Sequence, residues 1–132
     1  STFGPRFSPR RYRQESDCDP REIARLDDIV SRARSAFMAG SYTEASSLAE
    51  RSSEICDSLN IWGRMDGDIR NYYSAFSIAA TGNTESAVSI LDRVRGELRL
   101  AATVKAGVLL RSAGRQDEAE GAGDMAAAML WL

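Results

Sequence analysis

At 132 residues and 43% hydrophobic, the chain is long enough for one domain with a modest core. It contains no histidine, which removes the commonest general base, the commonest zinc ligand and the usual proton switch near neutrality. The net charge of −2 is unevenly placed: residues 1–14 hold Arg6, Arg10, Arg11 and Arg13 and no acid, so +4 there leaves −6 on the remainder.

Residues 1–18 read as an extended basic and aromatic arm. Pro5 and Pro9 oppose helix here, and Phe3, Phe7 and Tyr12 alternate with the arginines. So short a segment buries too little surface to fold alone, and a partner is expected to order it. An arm of this charge on an acidic body favours docking onto acidic protein or nucleic acid. The basic residues are 16 Arg against one Lys, Lys105. Arginine's planar fork suits bidentate contacts, although codon usage alone also produces such a bias. The start at Ser1, with Arg and Ser but no nearby acid, fits what remains of an organellar targeting region, mitochondrial or plastid.

Residues 19–132 read as a helical domain. Asp19 as N-cap, Pro20 in the first turn and Glu22 as the far half of a capping box open the first helix. Ile23, Leu26, Val30, Ala33 and Phe37 follow at steps of three and four, an amphipathic stripe that Gly40 ends. The second helix runs from about Thr43 to Leu59, with Ala45, Leu48, Ala49, Ser52, Ile55, Cys56 and Leu59 on one face. A loop over residues 60–67 is expected to fold Trp62 and Met65 back onto the core.

Asp66 or Asp68 then caps a third helix through Ile69, Tyr72, Tyr73, Phe76 and Ala80, ended by Gly82. From Thr84 the pattern supports either a helix broken at Gly96 or one continuous helix to residue 113, since an internal glycine costs only about 1 kcal/mol. The last helix, from Asp117, is alanine-rich and finishes MAAAMLWL, with no charged side chain. Such an end is expected either to fold into the core or to be covered by a neighbour. Met129, Leu130 and Trp131 are the candidate contacts.

Three helix ends share a signature. Gly40-Ser-Tyr-Thr-Glu-Ala45, Gly82-Asn-Thr-Glu-Ser-Ala87 and Gly114-Arg-Gln-Asp-Glu-Ala119 each place Ala five residues after Gly, with an acid between. Seven residues before each Gly stands a small residue: Ala33, Ala75 and Gly107. The Gly permits a left-handed turn, the acid complements the next helix dipole, and the small residues let antiparallel helices approach.

This pattern resembles the tetratricopeptide repeat, with Gly40, Tyr42 and Ala45 closest to its Gly-x-Tyr-x-x-Ala turn. The Gly-to-Gly steps here are 42 and 32 residues, against about 34 in that family. The resemblance implies an all-α fold of antiparallel hairpins, about three degenerate repeats in five or six helices. It also implies a groove lined by the first helix of each pair, here Arg34 and Phe37, then Tyr72 and Phe76, then Val108 and Arg111. The Lys and Asn with which that family clamps a terminal carboxylate are missing at these positions.

No catalytic or cofactor motif is present. Asp66-Gly-Asp68 lacks the further ligands of a calcium loop and reads as a cap. Gly63 and Gly67 sit in a polar loop, not an apolar span. Cys18 and Cys56 have no metal spacing, and Cys56 falls on an apolar stripe where packing is its role. No run approaches the ~18 apolar residues of a membrane span.

The reading is therefore a non-catalytic interaction or accessory subunit of a larger multiprotein complex, needing no cofactor and no metal. Its contacts would be Phe3, Phe7, Arg10, Arg11, Tyr12 and Arg13 of the arm. Arg34, Tyr72, Phe76 and Arg111 of the body would join them, with the apolar C-terminus. The second reading is an RNA- or ribosome-associated protein, its arm contacting phosphates and stacking on bases.

Overall fold

Left-handed turns at glycine divide the chain. Gly40, Gly82 and Gly114 have φ of +83°, +89° and +78°, a region that penalises any Cβ. The amide after the turn closes back onto the third-last helical carbonyl in two of them, Ser41 to Ala36 at 2.8 Å and Arg115 to Leu110 at 2.9 Å. The computed structural model describes residues 11–131. All regular structure among them is helical: α1 (Pro20–Met38), α2 (Tyr42–Leu59), α3 (Gly67–Ala80), α4 (Thr84–Leu91), α5 (Arg99–Ser112) and α6 (Gln116–Leu130). Single 3-10 turns lie at Glu15–Asp17 and Gly96–Leu98.

The helix starts follow their caps. Asp19 accepts from the Arg21 amide at 2.9 Å, so its carboxylate closes on the second helical residue and not on Glu22. Asp66, of the two candidates, caps α3 by accepting from the Ile69 amide at 2.9 Å. Asp68 instead turns its carboxylate to the Arg95 amide, which it accepts at 3.1 Å. That bond holds the connection between α4 and α5, where Gly96 turns left-handed at φ +68°. The chain over residues 84–113 is therefore two helices. Their junction carries Val94 into the core, which a continuous helix would not require.

Each helix packs on the next in sequence, from α1 on α2 through α5 on α6. The core divides accordingly. One cluster joins α1, α2 and the loop after it through Leu26, Val30, Ala33, Ala45, Ala49, Cys56, Ile61 and Met65, closed by Tyr73 of α3. The other joins α3, α4 and α5 through Ala75, Leu91, Val94, Ala102 and Ala106. Tyr72 packs against both. Ala33, Ala75, Ala45 and Ala87 are fully buried, because helices this close leave room for a methyl group and little more. No helix among the described residues is long and apolar enough to cross a membrane.

Candidate interaction surface

Five aromatic rings meet where α1, α2 and α3 converge. Phe37, at the end of α1, stacks on Tyr73 at 4.3 Å and 7°. It meets Phe76 edge-on at 4.9 Å, and Tyr42 and Tyr72 at 5.3 and 5.6 Å. Phe76 in turn contacts Tyr42 at 5.1 Å and Tyr72 at 4.9 Å. Tilted and edge-on pairs at these separations match positive ring edges to negative faces, worth about 0.5–1.5 kcal/mol each beyond burial. The sequence brings the rings together simply. Tyr72 and Phe76 are one turn apart on α3, while Gly40 reverses the chain so that Phe37 and Tyr42 lie side by side.

Only Tyr73 of the five is buried; the other four are half-exposed. Burial raises the phenol pKa of both Tyr72 and Tyr73. Coulombic interaction with Tyr42 adds to the rise at Tyr72, and Arg34 opposes it at Tyr73. Arg34 is itself exposed. The Lys105 ammonium, from α5, stands 4.6 Å from the Phe76 ring centre, within cation–π range. The surface is thus aromatic, with a cation at its edge. Thr43 and Ser77 hydrogen-bond beside it at 2.9 Å and pin α2 to α3.

The groove inferred from sequence is partly assembled. Phe37, Tyr72 and Phe76 do share one surface, with Arg34 close to Tyr73. Val108 and Arg111 do not join them; they line a separate cleft between α5 and α6. The α5 residue that reaches the rings is Lys105, and Tyr42 completes the cluster from α2. In the sequence Tyr42 reads as a turn residue and Lys105 stands out only as the one lysine. Tyr42 carries a signal, its position two residues after a turn glycine. Lys105 carries none, because its ring partner is far away in the chain.

The described part of the arm rests on the body. The Arg13 amide donates to the Asn60 carbonyl at 2.7 Å, and the Asn60 side-chain amide donates to the Arg11 carbonyl at 2.9 Å. Tyr12 packs against Trp62, with ring centres 4.3 Å apart and planes tilted by 31°. The Arg13 guanidinium turns inward to the Asp17 carbonyl at 2.6 Å. Arg64 grips Glu15 with two bonds of 2.7 Å and reaches Asp27 at 2.7 Å. The Arg64 hydrogen bonds and charge hold the Glu15 carboxyl below its ordinary range, against a smaller desolvation effect. Cys18 is buried in the first core cluster.

Residues 11–16, part of the stretch expected to need a partner, therefore rest on the chain's own loop. Trp62 corrects a second expectation: it is 72% exposed and serves as a platform for Tyr12, while Met65 does enter the core. Phe3, Phe7 and Arg10 lie outside the described residues. At the other end Met129 is half-buried, whereas Leu130 and Trp131 are 71% and 90% exposed. The apolar C-terminus thus leaves two large side chains in water.

No group of three or more potential metal ligands occurs among the described residues. Compared with family models, with curated proteins and with solved structures, the chain gives no match in any of the three.

Proposed function

We propose that the chain is a non-catalytic interaction subunit of a protein assembly, a small helical platform related in plan to tetratricopeptide repeats. One observation carries the reading: four half-exposed aromatic rings, Phe37, Tyr42, Tyr72 and Phe76, form one surface with the Lys105 ammonium over Phe76. Aromatic and Arg-rich patches are the composition of protein interfaces, because rigid rings bury much area at small entropic cost. A cation at its edge favours a partner segment with apolar anchors and an acidic flank. The exposed Leu130 and Trp131 supply a second attachment point, and the basic N-terminal arm a third.

Affinity purification of the tagged chain from its source organism, with RNase added, tests this. The expected result is a small set of stoichiometric protein partners that survive RNase. Recovery of RNA-dependent partners alone would instead support the arm as an RNA-binding element.

A further inference from the structure

The cleft between α5 and α6 departs from the burial pattern of the first two hairpins. Positions can be matched by their distance from Gly40, Gly82 and Gly114. Seven residues before, Ala33 and Ala75 are fully buried, but Gly107 is not. Nine residues after, Ala49 and Leu91 are buried, whereas Gly123 is exposed. Ten before, Val30 is buried and Tyr72 half-buried, while Val104 is 50% exposed, as is Val108. In the first two hairpins the next helix, α3 or α5, supplies the cover. Among the described residues nothing covers the third, and a cleft of about 150 Å³ remains over Val104, Gly107, Val108, Ala119 and Gly123.

This face complements itself. Its α5 side is a ridge, Val104 and Val108, one turn apart. Its α6 side is a hollow over Ala119, Gly123 and Ala126. Gly107 lies level with Ala119 and Ala122, at 3.5–3.6 Å from where its Cβ would stand. Val104 is therefore level with Gly123, Val108 with Ala119, and Arg111 with Asp117. Charge divides the same way: Arg111 lines the cleft from α5, a helix with no acid, and α6 carries Asp117, Glu118, Glu120 and Asp124 with no base.

We propose that a second copy of this chain occupies the cleft, related by a two-fold axis parallel to the helices. That operation lays α5 of each copy over α6 of the other and preserves height along the axis. Both valine ridges then enter small-residue hollows, and Arg111 of each copy meets the acidic α6 of the other. A closed, isologous dimer follows. Head-to-tail stacking fits poorly, because the outer positions of α1, Arg21, Arg25, Asp28 and Arg32, would face the valines.

Sedimentation equilibrium of the full chain, from low micromolar to sub-millimolar concentration, tests the proposal independently of any heterologous partner. The expected result is a reversible shift from 14.4 kDa to twice that mass. Gly123→Leu should weaken dimerisation by about tenfold or more by filling the hollow. It should leave the monomer folded, since a Cβ there meets nothing within 4 Å. Val104→Glu should do the same, and Asp117→Arg should restore part of the dimerisation lost in Arg111→Glu. A wild-type chain that stays monomeric throughout, or a dimer indifferent to both Gly123→Leu and Val104→Glu, would overturn the proposal.

Discussion

Replacing Gly82 by valine isolates the energetics of a helix-ending turn, because the structure removes the usual confounding clash. A Cβ built at Gly82 meets nothing within 4 Å, so packing is not disturbed. What remains is the backbone, held at φ +89°. A β-branched residue in the left-handed region costs roughly 1–2 kcal/mol, and the stiffer unfolded chain adds back part of this to the folded state's advantage. A net loss of about 1 kcal/mol is expected. Gly121→Ala supplies the control: it too has open space around its Cβ, but it lies inside α6. Alanine in a helix interior should stabilise by about 0.5–1 kcal/mol. The two substitutions should therefore differ by about 2 kcal/mol, or about 8 °C in melting temperature for a domain of this size. Thermal and urea unfolding followed by far-UV circular dichroism reads both. Equal shifts in the same direction would refute Gly82 as a helix terminator and the hairpin boundaries with it.

Arg64→Ala should destabilise the fold by about 1 kcal/mol at neutral pH, since the guanidinium serves two carboxylates in a partly exposed network. The Glu15 part of this has a defined sign. Its pKa is lowered on folding from an ordinary 4.5, so the stabilisation is complete above that value and lost as pH falls through the lowered one. Urea titrations of wild type and variant should thus converge in acid; a gap that widens there would contradict the assignment. Cys56 is buried with its thiol pKa raised by desolvation, and Cys18 is buried too, so a thiol reagent should label neither until the chain unfolds. Rapid labelling of native protein would show the first core cluster to be open. Binding to single-stranded RNA at physiological salt should be no tighter than the micromolar range of non-specific contacts, with a slope near −0.7 per neutralised phosphate in a log–log salt titration. Tight, salt-sensitive binding that vanishes on deletion of residues 1–10 would promote the RNA reading.

Local chemistry is the legible part of this fold. Helix starts at Asp19 and Asp66 and ends at Gly40, Gly82 and Gly114 are written within a few residues of where they act, as are the stripes of α1 and α2. The ambiguous stretch is residues 84–113. There the deciding contact, Asp68 to the Arg95 amide, spans 27 positions and leaves no trace in local periodicity. Trp62 departs from expectation for a related reason. Large aromatics favour burial on average, but this one finds its apolar partner in Tyr12, across the surface and fifty residues earlier. Within the candidate surface, Tyr72 and Phe76 are legible through their spacing on one helix. Lys105 is not, because its place over Phe76 depends on how α5 packs along α3.

The central claim is that the aromatic surface at Tyr42, Tyr72 and Phe76 contacts another protein. Site-specific photo-crosslinking in cells of the source organism tests it most directly, with a photoreactive phenylalanine in place of Tyr42 and, separately, of exposed Arg51 on the polar side of α2. A discrete, RNase-resistant crosslink to a protein is expected from position 42 and none from position 51. Equal crosslinking from both positions, or none but RNA adducts from position 42, would contradict the claim.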